Sequence, residues 1–593
     1  MNKFNFSEEK IRDQLLSIKR KAGGFSLLRL ALFLAIIAAV VLFFSQSGWW
    51  FFILIAIGGG FVWSVREFNF LKDQEAVTLA LAQMKKETKW RVDRKLDSLE
   101  EGKAYLDKNH PYSNDLDLFG DHSLFQLLNH CHSMAGSDLL AEALKAPIEI
   151  GKKSALREAV DELSQKPLFL KSMEAVGKAF YNDTTAKADW SEWLKVKEKP
   201  KSYLLALGGL GILGGVFLLV SLYLGWIPSA VLGLWILIGM VFLASVFSSL
   251  KEAAEKIPNR QTLKTFIHSV KLIEEQEFES SFLREQQEIF KEKAGLASLH
   301  LLELDRLGLW VQNRLNLMYL PINLILWTDL LLYVRWVKWK NRFGDKVAAY
   351  PERLAYWEML ISLGLFQHQL GTQGDVEIAA DQVVKAEELT HPLLVPGKAV
   401  ANSFELGGDK RIVLLTGANM SGKTTFMRTI GINLVLANLG LRPYGKRLVV
   451  GEMDLYTSMR NADNLGESVS SFYAELSRIK SLITRLEQGK PIFFLLDEIL
   501  KGTNTEDRIA GSEALIRQLI QTEGLGIIST HDIELSSLEN RLGPVTNKSF
   551  HSAVFDDKID FDYKIKEGPC PSFNAHKLME LMGIKFGGNS GSA

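Results

Sequence analysis

Cysteine is nearly missing from this 593-residue chain, whose two are Cys131 and Cys570. A pair so far apart excludes a disulfide framework and a four-ligand zinc site, and fits a reducing compartment for the soluble part. Net charge is missing as well, because 69 Lys and Arg balance 69 Asp and Glu. No overall polyelectrolyte character drives binding to nucleic acid, so any such binding must rest on local patches. With 47% hydrophobic and 23% charged residues, the chain is too apolar to be disordered. At roughly 100 to 200 residues per domain, its length asks for about three to five folding units and excludes a single module.

Charge is absent above all from four long runs. Residues 27–44 contain Arg29 alone and 48–65 none; 203–224 and 229–247 lack Asp, Glu, Lys, Arg and His. Each is about long enough to cross a bilayer as a helix. They pair into two hairpins, joined by Ser45-Gln46-Ser47 and by Gly225-Trp226-Ile227-Pro228. Trp49, Trp50 and Trp63 stand near the run ends, where aromatic rings favour the headgroup zone. The first run leads straight into another, so it reads as a span and not as a cleaved signal. Lys19, Arg20, Lys21, Arg29, Arg66 and Lys72 flank the first hairpin; Lys195, Lys197, Lys199, Lys201, Lys251 and Lys256 flank the second; neither turn carries a cation. The positive-inside rule then puts the N-terminus, residues 67–202 and everything after 248 in the cytoplasm. Spans without ionisable groups read as anchors, since transport paths usually carry such groups. Residues 315–336 are also apolar but include Asn316, Pro321, Asn323 and Asp329, and are expected to form a buried helix of a soluble domain. Gly211 and Gly215 make a small-xxx-small pair that could pack helices closely, although in so glycine-rich a stretch chance is the preferred account.

A strand-like run, residues 412–416, leads into Gly417-Ala418-Asn419-Met420-Ser421-Gly422-Lys423-Thr424, with a helical pattern from Thr425. This is a GxxxxGKT loop in its required context. Its glycines let backbone N–H groups turn to phosphate oxygens and the helix N-terminus adds its positive end. Lys423 reaches the outer phosphates, and Thr424 offers a hydroxyl to Mg2+. A second buried run, 492–496, ends in Asp497-Glu498. Asp497 is expected to hold Mg2+ through its water shell, and Glu498 to orient and deprotonate the attacking water. A third, 526–530, delivers His531 to the same edge as a sensor of the γ-phosphate.

Taken together, Thr416 to Arg428, the Leu496-Asp-Glu-Ile-Leu-Lys-Gly-Thr-Asn-Thr-Glu-Asp507 stretch and Ser529-Thr-His-Asp-Ile-Glu-Leu535 resemble the ATPase domain of the MutS family. The Asn419-Met420 pair and the Thr-His-x-x-Glu-Leu stretch set this likeness apart from generic phosphate-loop proteins. The likeness implies ATP and Mg2+ as cofactors, the loop residues 417–425 as nucleotide ligands, and Glu498, His531 and Lys423 as catalytic groups. It also implies that Ser470, in Ser470-Ser-Phe-Tyr-Ala-Glu-Leu476, reaches the γ-phosphate of the facing subunit. Weaker likeness runs from His122 to about Phe169, and through Tyr356-Trp-Glu358 and Thr390-His-Pro-Leu-Leu394. His130-Cys131-His132 is spaced poorly for tetrahedral metal binding and fits a helical core.

The departures are as informative. No Phe-x-Glu mismatch-reading module precedes the core, the second hairpin interrupts it, and little chain remains for a DNA clamp. Leu500-Lys501 stands where the family usually has Gly-Arg, and Phe573-Asn574-Ala575 where it has a Tyr-Gly-Ile-like stretch. Basic runs at 85–95 and 338–342 are open to two readings, phosphate binding or a solvated helix face. The stretch 85–108 reads as charged and helical.

The expected fold is mixed: four transmembrane helices in two hairpins, an α-helical core, and a C-terminal α/β P-loop domain of the type shared by MutS proteins and ABC ATPases. The divisions are a cytoplasmic N-terminus (1–26), hairpin 1 (27–66), a cytoplasmic helical segment that starts the core (67–202), hairpin 2 (203–248), a core and lever continuation (249–385), the ATPase domain (386–586) and a flexible tail (587–593). The expectation is a homodimeric, multi-pass protein of a bacterial inner membrane that couples ATP hydrolysis to binding of mismatched, branched or distorted DNA. The alternative is a membrane-bound switch acting on an unidentified protein or lipid partner without DNA. An ABC-type transporter needs a Leu-Ser-Gly-Gly-Gln motif and a polar path, and the sequence offers neither.

Overall fold

The computed structural model describes the chain except residues 1–3, 46–48, 182–189, 200, 292–294, 315, 318, 371–373, 461–470, 556–557 and 572–593. Ser470, residues 573–575 and the tail 587–593 therefore lie outside the described residues. The content is mixed and mostly helical. Contacts divide it into two compact units. One comprises Met1–Lys85, His130–Ser137 and Lys166–Ile361; the other comprises Lys86–Asn129, Asp138–Gln165 and Ser362–Ala593.

The first unit is helical. Among the described residues three helices are long and apolar enough to cross a membrane: Ile11–Phe43, Tyr203–Tyr223 and Ser229–Lys256. The other expected run, 48–65, starts among residues not described; from Trp50 it forms a helix that continues to Asp93. Large apolar side chains on the second pair of helices, such as Leu213, Phe217, Leu237 and Val241, stay exposed. Away from them the unit has an ordinary core. The Arg260–Glu275 helix, opened by an Asn259 side chain that accepts the Thr262 N–H at 2.8 Å, packs on Ala297–Asn313. Trp193 stacks on Trp336 with ring centroids 5.2 Å apart.

The reading of 315–336 as one buried helix is corrected. Tyr319–Leu326 and the helix beginning at Thr328 meet at 88°, with Leu317, Leu320 and Ile322 exposed. The physical cause is local. Trp327 adopts φ 52°, which no helix tolerates, and the Asn323 side chain accepts the Asp329 N–H and the Thr328 hydroxyl, both at 2.9 Å, so a new helix starts there. Chance is likewise the wrong account of the glycines. A Cβ at Gly211 would lie 2.7 Å from Trp327 Cβ and 2.9 Å from the Leu326 carbonyl oxygen. Gly208 and Gly215 face the same bent segment, and Trp235 stacks on Trp327 at 4.2 Å. The glycine stripe is the seat of the bend.

The basic runs are corrected in part. The helix Trp50–Asp93 ends where Arg94 turns to φ 57°, short of the expected 108. Arg91 and Arg94 are buried: Arg91 donates to the Gln126 and Asn129 carbonyls, and Arg94 to the Pro392 and Arg91 carbonyls and the Tyr444 hydroxyl. Burial lowers the Arg94 pKa below its usual value. Lys340 is buried between Glu198, at 3.0 Å, and the Trp193 ring. These cations hold the fold together and are neither solvated nor offered to a polyanion. His130 and His132 meet carboxylates, Glu174 at 3.0 Å and Glu358 at 3.1 Å.

The second unit holds two sheets. The smaller runs β1-β5-β2-β3, with β1 Asp375–Ala379, β2 Val383–Leu389, β3 Asn402–Gly407 and β5 Arg447–Gly451. The larger runs β10-β9-β4-β8-β7-β6, with β4 Ile412–Gly417, β6 Asp454–Ser458, β7 Ile492–Asp497, β8 Gly524–Thr530, β9 Val545–Phe555 and β10 Lys558–Glu567. From β9 to β6 every neighbour is parallel; β10 pairs antiparallel with β9. β4, β7 and β8 read as continuous apolar runs because both faces of a parallel sheet are covered. The Lys423–Asn438 helix, which follows β4, is buried over most of its length.

Candidate functional site

β4, β8 and β7 lie side by side and parallel, so their carboxyl ends share one edge, where open α/β sheets bind ligands. The register is tight. Thr416 of β4 faces Thr530 of β8, and Ser529 of β8 faces Asp497 of β7. Three segments distant in sequence thus deliver their last residues to one place.

After β4 the chain makes a tight loop. Gly417 has φ 156° and would put a Cβ 2.8 Å from the Phe550 carbonyl; Gly422 has φ 105° and caps the Lys423–Asn438 helix. Glycine alone adopts such angles without cost. The Lys423 ammonium donates to the carbonyls of Gly417 at 2.7 Å and Ala418 at 3.0 Å. Burial lowers its pKa, against the pull of Glu498 and Asp497. The Thr424 hydroxyl donates to Asp497 Oδ2 at 2.6 Å, and the Ser529 hydroxyl bonds the other oxygen of the same carboxylate.

Glu498 leaves β7 at φ 50° with its N–H on the Ser529 carbonyl at 3.1 Å. Its carboxylate meets His531 Nε2 at 2.8 Å and pairs with the Lys501 ammonium. The hydrogen bond from His531 and the Lys501 cation outweigh burial and pull its pKa down to about 2. The Leu500 N–H donates to Glu475, whose own pKa burial raises.

Beside this edge lies a cavity of about 490 Å³. Of the expected residues, 419–425 and Glu498 line it. Gly417 and Ala418 enter through the carbonyls that receive Lys423, Asp497 through Thr424, and His531 through Glu498. Other parts of the wall were not foreseen, among them His391, Asn402, Phe550 and Tyr563. Asn402 ties β3 to β10, donating to the Tyr563 carbonyl and accepting the Ile565 N–H, both at 2.9 Å. The alternation Phe561, Tyr563, Ile565 is a strand-like signal, but no spacing places it at the phosphate loop. Nor did any signal reveal Asp117, which accepts from Arg428 at 2.7 Å and also pairs with Arg460. It braces the helix that begins at Lys423.

The strand order and the residues gathered at its edge define an α/β domain, and residues 413–584 match the family model described as MutS domain V. The chain thus carries a domain of the MutS family. It is 33% identical over 211 residues to the DNA mismatch repair protein MutS of Bacillus licheniformis, 34% of this chain and 24% of that protein. It is similar to the proteins of the same name from Bacillus subtilis, 33% over 189 residues, and Thermotoga neapolitana, 32% over 170 residues, covering 31% and 28% of this chain and 22% and 21% of theirs. The chain thus spans less than a quarter of the length of these curated relatives.

Proposed function

We propose that the chain is a membrane-anchored, dimeric ATPase that couples binding and hydrolysis of ATP with Mg2+ to the handling of DNA. The observation that carries the ATP chemistry is the convergence of Lys423, Thr424, Asp497, Glu498 and His531 on one sheet edge beside a single cavity. Magnesium suits the donors present: the Thr424 hydroxyl and the Asp497 carboxylate meet at 2.6 Å, two hard oxygens of the kind it takes along with phosphate and water. Bound there, it would neutralise charge on the β- and γ-phosphates.

The protein groups divide the remaining work. The loop N–H groups and the Lys423–Asn438 helix terminus face phosphate oxygens, and the Lys423 ammonium turns from its two carbonyls to the outer phosphates. Glu498 orients the attacking water and takes its proton, with His531 fixing the carboxylate. A carboxylate with pKa about 2 is a weak base, so turnover requires the Lys501 pair to open first. Ser470 of a facing subunit completes the γ-phosphate site, and closure of the pair over ATP moves the helical parts. The exposed apolar helices and the cations flanking them support anchoring in a bacterial inner membrane with the ATPase domain cytoplasmic.

For the target, the likeness to DNA mismatch repair proteins supports DNA. Burial of Arg91, Arg94 and Lys340 in internal pairs favours the second reading, a switch that acts on a protein or lipid partner. Turnover of the full chain in nanodiscs decides both questions. Glu498→Gln should lower phosphate release at least ~100-fold, the usual worth of a positioned general base, while still binding ATP; an unchanged rate ends the assignment. Duplex or branched DNA should raise turnover and bind with a constant that falls steeply with salt. Absence of any DNA effect at low salt moves the target to the second reading.

A further inference from the structure

The bent segment walls a second space, in the helical unit. A groove of about 670 Å³ runs between the Ser229–Lys256 helix and the short Tyr319–Leu326 helix. Along the former its wall is a single stripe: Met240, Leu243, Ala244 and Phe247, then Lys251, Ala254 and Glu255. Leu320 and Leu324 face them from the latter. At 1.5 Å per residue the stripe is ~22 Å long, and its apolar part covers ~10 Å, within the ~15 Å hydrocarbon depth of one leaflet. One end is oily and the other charged.

The charged end is built. Arg314 Nε donates to Asp329 Oδ2 at 2.7 Å, the Tyr319 hydroxyl donates to Asp329 Oδ1 at 2.8 Å, and the Arg314 guanidinium lies 5.6 Å over the Phe247 ring. That pair closes the floor and cancels its own charge. What remains at the mouth is one cation and one anion a helical turn apart. Lys251 and Glu255 are 3.9 Å from each other and about two-thirds exposed, a loose pair that a better partner can replace.

We infer that this groove holds one zwitterionic glycerophospholipid, an acyl chain along Met240–Phe247, its phosphate on Lys251 and its headgroup ammonium on Glu255. An amphiphile with separated charges matches both the polarity gradient and the neutral mouth; an anionic lipid leaves Glu255 opposed. Anchored there, the lipid couples the elbow at Trp327 to the leaflet.

The inference rests on the reading that these helices lie in a bilayer, which alkaline carbonate extraction of membranes tests by itself. Native mass spectrometry of the full chain in mild detergent, after exchange with phosphatidylethanolamine or phosphatidylglycerol vesicles, then reads occupancy. One phosphatidylethanolamine per chain should persist through delipidation. Ala244→Trp, which fills the groove, should abolish it with an unchanged melting temperature. Lys251→Glu, a change at an exposed site that spares folding, should cut occupancy about tenfold. Carbonate release of the chain overturns the bilayer reading and this inference together. If the chain stays in the membrane, equal retention by Ala244→Trp, preference for phosphatidylglycerol, or loss of a dimer instead of a lipid in Ala244→Trp overturns the groove alone.

Discussion

The two units use their glycines for opposite ends. In the MutS domain V, Gly417 and Gly422 open backbone angles that side chains resist, and the result is a tight loop that leads from β4 into the Lys423–Asn438 helix. In the helical unit, Gly208, Gly211 and Gly215 keep ordinary helical angles and remove bulk, so a bent segment can press against the helix backbone. The first use leaves a motif in the sequence because the spacing is dictated by the ligand. The second leaves only a stripe, because any partner surface would do. Function is thus readable where chemistry sets the spacing, and unreadable where packing does.

That contrast can be broken by experiment. The largest effect is expected at the seat of the bend. Gly211→Leu drives a side chain into Trp327 and the Leu326 carbonyl and should cost about 3 kcal/mol or prevent folding, measured as the thermal midpoint in detergent. Gly209→Ala, where nothing lies within 4 Å of the added carbon, should shift it by less than ~0.5 kcal/mol. Equal effects at the two positions would mean that the stripe packs against nothing.

The next effect sharpens the other side. Burial, helped by Arg428 and His122, pushes the His391 pKa down from 6.5 to about 3. The folded domain keeps this imidazole neutral while the unfolded chain protonates it, so stability is full above pH 6.5 and falls as pH drops toward 3. At pH 5 the loss is about 2 kcal/mol. Hydrogen exchange of the β4 and β8 amides at pH 7 and pH 5 reads it, and His391→Gln should flatten the slope. A slope of the same size in that variant would assign the acid sensitivity elsewhere.

The smallest effect concerns the carboxylate at the sheet edge. Lys501→Ala removes one of the two partners that hold Glu498 near pKa 2 and should raise that pKa, making the carboxylate a better base. Basal ATP turnover at neutral pH is expected to rise a few-fold, by less than ~1 kcal/mol in barrier. A fall of tenfold or more would make Lys501 a participant and not a restraint.

Much of the site was legible. Residues 417–425, Asp497, Glu498 and His531 reach one edge because each follows an apolar run, and parallel strands must all end on the same side. The Lys501–Glu498 pair was not legible, since Leu500-Lys501 looked only like a departure from a familiar pattern; its meaning came from φ 60° at Leu500, in the turn that carries Lys501 back to the carboxylate. Asp117 and Asn402 were invisible for another reason. They act on residues 311 and 161 positions away, and nothing local marks such a partner.

In the helical unit the apolar runs gave helices, as length and composition require. Whether 315–336 would run straight was decided by Asn323, Thr328 and Asp329 finding one another and by three glycines on another helix making room. Local composition therefore determined which segments bury apolar surface and where a phosphate loop must turn. Tertiary structure decided which buried cations serve the fold and where a helix breaks, because those outcomes depend on contacts between segments that no window of sequence contains.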